Sequence, residues 1–351
     1  MNMANRLLGC MLALFFSATF LYAETREYTD KMGRVVAVSL PVRRAVLFQT
    51  PELIPALGIW DKIVGISKSV YDNDLFKATN PDFETTVPSA GSGGDVNMEA
   101  LLKQKPDVVI TWSVKPDTVR FMERMGLKVI TIFPDSISEF YDIMGMHGSL
   151  FEKEKKMADA IEAMESIFNL IKDRVSIIQS HEKRKVLWLG AKPTSVAGGI
   201  GITNDIIHLI GGVNPASSII QGHGPSDVSL EQIVAWNPDV IFIRGYTSYS
   251  SADILSNSQW GYIKAVKEGR VYKAPDWSTW SPRLAPITLW AAIRTYPEYF
   301  KDIDLNKRTD AFYRKVFGIP FAKEKGFEGE LHSWFNRKKW KRSEKRIPLP
   351  D

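Results

Sequence analysis

The stretch Met98-Glu-Ala-Leu-Leu-Lys-Gln-Lys-Pro-Asp-Val-Val-Ile110 returns later in the chain as Leu230-Glu-Gln-Ile-Val-Ala-Trp-Asn-Pro-Asp-Val-Ile-Phe242. Each copy reads as a short helix, a Pro-Asp turn and a continuous apolar strand. Proline ends the helix because it has no N–H to donate, and an unbroken apolar run suits a strand covered on both faces. A chain that uses this unit twice is built from two halves of similar design, which points to α/β lobes around parallel sheets.

Between the copies lies a long helical run, residues 136–179. Its apolar residues Met157, Ile161, Met164, Ile167, Phe168, Ile171 and Val175 recur at helical steps. No proline follows Pro134 and no glycine follows Gly148 within the run. The pattern therefore predicts an uninterrupted helix of about 30 residues from Ser149, roughly 45 Å long. Such a helix is a strut. The expected fold is α/β, two Rossmann-like lobes joined by one long backbone helix, with a ligand cleft between the lobes. The boundaries are 24–135 for the first lobe, 136–180 for the linking helix and 181–320 for the second lobe. A chain of 351 residues also exceeds what one core usually supports.

The two ends read differently from the body. Arg6, the apolar run from Leu7 to Tyr22, and Ala23 before the polar Glu24 describe a secretory signal peptide, residues 1–23, cut after Ala23. Leu7-Leu-Gly-Cys10 matches a lipobox, but most of the apolar run follows Cys10, so lipidation there is the weaker reading. Cys10 is the only cysteine, and a mature chain without it has neither disulfide nor thiolate ligand. The product is expected to be soluble and exported. At the other end, the basic tail 321–351 gathers Arg337, Lys338, Lys339, Lys341, Arg342, Lys345 and Arg346. The net charge of +5 thus belongs to the tail and is no nucleic-acid face.

In open parallel sheets, ligands meet the loops at the carboxyl ends of the strands. Those loops hold Gln49, Thr50, Tyr71, Trp112, Ser113 and Phe133 in the first half, and His223, Arg244, Tyr246, Trp277, Trp280 and Arg283 in the second. The set is aromatic and cationic. Tryptophans stack on flat organic groups, arginines fork onto carboxylate or catecholate oxygens, and phenolate or imidazole can ligate a metal. His223 lies between two glycines and can approach a ligand closely. His147, His181, His208 and His332 sit on or near helices, apart from one another, and read as non-ligands. The glycine-rich loop 91–94 fits neither the Walker nor the dinucleotide pattern; a turn that brings amides toward the cleft is the better reading. No metalloprotease motif, nucleophile elbow or convergent Ser, His and Asp set is visible.

The order of these words resembles the cluster III periplasmic substrate-binding proteins of ABC importers, which carry ferric siderophores, haem, cobalamin and other metal chelates. The matching words are Thr50-Pro-Glu-Leu-Ile-Pro-Ala-Leu-Gly58, Pro106-Asp-Val-Val-Ile110, Val228-Ser-Leu-Glu231 with Pro238-Asp-Val-Ile241, and Ala265-Val-Lys-Glu-Gly-Arg-Val-Tyr272. Gln221-Gly-His-Gly224 is similar to CeuE-like ferric catecholate binders, where a histidine at that point completes iron coordination. Those proteins pair it with a tyrosine, whereas the corresponding loop here is Trp277-Ser-Thr-Trp280.

The resemblance implies stiffly joined lobes, no intrinsic cofactor, a monomer and an inner-membrane ABC permease as partner. It places one permease-docking glutamate at Glu52; the second such place is Val213. The implied function is delivery of an iron chelate of the ferric siderophore type. A nickel or cobalt chelate, haem or a corrinoid are alternatives, and an exported α/β enzyme is the reading from a different class.

Overall fold

The computed structural model describes residues 24–321; the signal segment and the basic tail lie outside the described residues. A leading antiparallel hairpin pairs β1 (Thr25–Thr29) with β2 (Val35–Ser39). The first lobe then contains β3 (Ala45–Leu47), β4 (Ile63–Ile66), the small hairpin of β5 (Gly91–Ser92) and β6 (Asp95–Val96), β7 (Val108–Trp112) and β8 (Val129–Ile132). Its main sheet has the order β4-β3-β7-β8 and is parallel throughout. The second lobe contains β9 (Val186–Leu189), β10 (Ser195–Val196), β11 (Ser226–Asp227), β12 (Val240–Ile243) and β13 (Val271–Lys273). Here the order is β11-β10-β9-β12-β13, with β9, β12 and β13 parallel and an antiparallel edge beyond β9. The central strands are apolar and buried on both faces, as helix-covered parallel sheets require.

The sequence repeat becomes a structural one. Asn97 caps the helix Met98–Lys103, and Ser229 caps the helix Leu230–Trp236, each through a side-chain oxygen that accepts a backbone N–H. Lys105 and Asn237, the residues before each proline, both take left-handed backbone angles, with φ of 43° and 46°. Asp107 Oδ2 then accepts the backbone N–H groups of Arg43 at 2.8 Å and Arg44 at 2.9 Å, at the entry to β3. Asp239 Oδ2 accepts the N–H of Lys185 at 2.7 Å, at the entry to β9. In both lobes the aspartate of the Pro-Asp turn thus fastens the repeated unit to the lobe's first parallel strand.

The predicted long helix is two helices, Ile137–Leu150 and Glu154–Val175. Glu152 adopts a positive φ of 54°, and the N–H of Lys153 donates to the Gly148 carbonyl at 2.8 Å, which closes a turn. The helices fold back on one another: Tyr141 donates to Glu165 at 2.5 Å, and a Cβ on Gly148 would lie 3.2 Å from the Glu154 backbone. Helical period continues across the turn because both helices bury apolar faces, so periodicity alone does not mark the break. The strut is the second helix, 22 residues long and therefore roughly 33 Å. It packs on the first-lobe helix Leu53–Leu57 and on the helices Ile202–Leu209 and Leu284–Thr295. One apolar core runs along this side from Val38 through Phe168 to Trp290, while each sheet's other face holds its own smaller core. The lobes are thus joined through shared packing.

Candidate functional site

A cavity of about 70 Å³ lies between the lobes at the carboxyl ends of the strands. Phe133 and Asp135 reach it from the turn after β8, Arg244 from the end of β12, and Trp280 from the loop after β13. Trp280 meets Phe133 edge to face at 5.0 Å, so one aromatic contact bridges the lobes. Gly201, which precedes the helix Ile202–Leu209, and Thr203 on its first turn also line the space. No side chain caps that helix, and its N-terminal residues Gly201, Ile202 and Thr203, at the positive dipole end, form part of the cavity wall.

The charges are arranged unequally. Arg244 stands over the exposed ring of Tyr246, with its guanidinium carbon 5.3 Å from the ring centre. Among the described residues no carboxylate pairs with it. Asp135, by contrast, is compensated twice: Lys31 donates to it at 2.8 Å and His223 Nδ1 donates at 2.8 Å. Burial pushes its carboxyl upward, yet the hydrogen bonds from Lys31 and His223 outweigh burial and hold it below the usual carboxylate range. His223 belongs to the second lobe, so this is a second bridge across the cleft. Its side chain is 62% exposed, whereas that of Asp135 is 14% exposed.

The structure therefore brings together Arg244, Trp280 and Phe133, with Tyr246 and His223 at the rim. The other expected residues do not line this cavity. Tyr71 donates its hydroxyl to the Val87 carbonyl at 3.2 Å and packs on Phe83; burial raises its pKa, which disfavours a phenolate. Trp112 lies under the glycine-rich loop at Gly93. Trp277 and Arg283 are core residues: Trp277 packs on Tyr313 and under the Arg283 guanidinium.

Arg283 is fully buried, with Nε donating to Glu52 at 2.9 Å and Nη1 donating to Asp74 at 2.6 Å, and Nη2 also contacts Glu52. Asn73 adds a hydrogen bond to Glu52 at 2.8 Å. Glu52 is 1% exposed and so is not placed as a surface docking group, since its charge is consumed by Arg283. Thr50 is buried at φ 51°, with Oγ1 3.3 Å from Nε2 of the buried His147.

Asp135, Lys31, Gly201 and Thr203 were not singled out from the sequence. Asp135 stands two residues beyond Phe133, so the strand-end rule that finds Phe133 reaches it if extended. Lys31 arrives from the leading hairpin, which no strand-end rule covers. A larger groove of about 420 Å³ lies beside Phe133 between the leading hairpin and the helix Ile137–Leu150, but all of its lining belongs to that side of the molecule. Among the described residues no group of three or more His, Cys, Asp or Glu could hold a metal ion, and no helix is long and apolar enough to cross a membrane.

Comparisons with known proteins agree with this fold. The family described as periplasmic binding protein matches residues 48–276, and the chain belongs to that family. The molybdate-binding protein MolA of Haemophilus influenzae is 25% identical, covering 90% of this chain and 97% of its own. The iron(3+)-hydroxamate-binding protein FhuD of Bacillus subtilis is 25% identical over 72% of this chain and 79% of its own. Among solved structures, Helicobacter pylori CeuE in a nickel–histidine complex superposes with a TM-score of 0.76 at 26% identity, covering 89% of this chain and 99% of that one. These relatives are binding proteins by their own descriptions, and the chain is a binding protein and not an enzyme.

Proposed function

We propose that the protein is a monomeric periplasmic receptor, exported by its segment 1–23, that captures a compact anionic metal chelate between its lobes and delivers it to an inner-membrane ABC permease. The observation that carries this reading is Arg244, a guanidinium that lines the interlobe cavity without a carboxylate partner among the described residues. Such a fork is completed by an anion from outside. Trp280 and Phe133 supply apolar walls, and His223 offers one borderline ligand at the rim. The similarity to CeuE with nickel–histidine supports a small chelate of nickel, cobalt or iron over the full-size ferric siderophore expected from the sequence.

A second reading is a tetrahedral oxyanion. It is favoured by the uncapped helix start at Gly201 and by the similarity to MolA.

Calorimetric titration of residues 24–351 with nickel plus histidine, ferric catecholate, ferric hydroxamate and molybdate tests both. The expected result is saturable binding of a small chelate, weakened by Arg244→Ala and by His223→Ala. Binding of molybdate that depends on Arg244 and not on His223 selects the oxyanion. No binding across the panel overturns both readings.

A further inference from the structure

The central strand of the first lobe ends in two buried polar atoms that have no hydrogen-bond partner, Thr111 Oγ1 and Trp112 Nε1. Thr111 is 1% exposed. Leaving such groups unpaired costs stability unless something else satisfies them. Both converge on Gly93: a Cβ built there would lie 2.8 Å from Trp112 Nε1 and 3.1 Å from Thr111 Oγ1. Any residue larger than glycine would push into the two atoms, and only glycine lets the loop 91–94 cover them.

The place is at the cleft end of the sheet. Trp112 pairs in register with Ile132, the residue before Phe133, and Phe133 lines the interlobe cavity. The covering loop is the tip of the β5–β6 hairpin, anchored at its base by strand pairing and held at its outer end only by exposed bonds. Lys115 Nζ donates to the Gly94 carbonyl at 2.7 Å and the N–H of Asp95 donates to Ser92 Oγ at 3.1 Å, both exposed bonds. Gly91 turns the chain with φ of +92°. Exposed bonds of this kind open at small cost.

We propose that Thr111 Oγ1 and Trp112 Nε1 form a covered oxygen-binding subsite, which takes one anionic oxygen of the captured ligand when the loop 91–94 shifts off them. This rests on the receptor reading above and adds a first-lobe donor pair to the second-lobe cation Arg244. The indole contributes its N–H as a donor, not its face as a stacking platform.

The test uses nickel plus histidine and molybdate as probes on residues 24–351, with Thr111→Val and Trp112→Phe. Valine keeps the shape of threonine and phenylalanine keeps an aromatic ring, so each variant removes one donor. Each is expected to weaken binding of the probe that wild type accepts by roughly tenfold, as for a hydrogen bond to a charged acceptor. Thr111→Val should at the same time keep or raise the thermal midpoint, because it deletes an unpaired buried hydroxyl. In protein labelled with ¹⁵N-tryptophan, the indole cross-peak that disappears in Trp112→Phe should move when wild type is saturated. Wild-type affinity in both variants with an unmoved cross-peak overturns the subsite and leaves the receptor reading intact. Failure of wild type to bind either probe, with the two ferric chelates of the panel above silent as well, overturns both.

Discussion

Arg283 and Arg244 both follow the strands of the second lobe, and both read from sequence as candidates to hold an anionic ligand. In the structure they belong to different regions. Arg283 lies buried between the lobes, where Glu52 and Asp74 neutralise it and Asn73 helps to fix Glu52. Burial opposes its charge, but the field of Glu52, with Tyr313 and Asp74 behind it, raises its pKa well above the ordinary arginine value. Arg244 lies half-exposed at a cavity wall over a tyrosine ring, with no carboxylate partner among the described residues. The difference teaches that a cation's role is set by who compensates it. A guanidinium matched within the chain clamps the fold, and one left unmatched at a cleft waits for an anion.

The largest effect expected from this comparison is on stability at the clamp. Glu52→Gln or Arg283→Met should cost about 3–5 kcal/mol, because removing one member leaves a buried charge with incomplete pairing. Urea unfolding measures this, and a loss below about 1 kcal/mol would erase the distinction between the two arginines.

Next in size is a pH effect in the same buried region. His147 is fully buried beside Thr50, with Nδ1 donating to the Ile143 carbonyl at 2.8 Å. Burial lowers its pKa to about 4, partly offset by that carbonyl. The unfolded chain, near pKa 6.5, binds this proton first as the pH drops. Stability is therefore complete above about pH 6.5 and declines by about 3 kcal/mol as the pH falls toward 4. Unfolding curves of His147→Gln should be flatter across that window; an unchanged slope would remove His147 from the account.

A smaller loss is expected at the bridge nearer the cleft. Asp135→Ala frees His223 and leaves Lys31 paired with Glu139 alone, and should cost about 1 kcal/mol, since these groups still reach water. A loss as large as at Glu52 would place Asp135 with the clamp. Smallest of all, Arg244→Ala should leave stability within about 0.5 kcal/mol, while the affinity for a small anionic chelate falls by roughly ten- to a hundredfold. A variant that unfolds like Arg283→Met would show Arg244 to be part of the scaffold.

Much of the fold was legible because local patterns carry it. The repeated unit appears as helix, left-handed turn and buried strand in both lobes, and its aspartate performs the same task at Asp107 and Asp239. The strut was legible in type but not in length. The turn at residues 151–153 uses no proline or glycine, only Glu152 in a left-handed conformation, and hydrophobic period passes through it. At the site, the strand-end rule selected Phe133, Arg244 and Trp280, which meet. It also selected Trp277 and Arg283, which the chain carries away from the cleft into the shared core. Loop position alone does not say which way a side chain faces.

What the sequence determined by itself is what depends on neighbours along the chain: the two α/β lobes, their central strands, the helix caps and the Pro-Asp turns. Binary pattern and turn chemistry act locally, so they can be read locally. What only the tertiary structure decided is which charges find partners. Glu52 and Arg283 are far apart in sequence yet meet as one buried pair, Asp135 is shared between Lys31 and His223 from opposite sides of the cleft, and Arg244 stays unpaired among the described residues. Electrostatic energy depends on distance and on water exclusion in three dimensions, and neither is encoded in the spacing of residues along the chain.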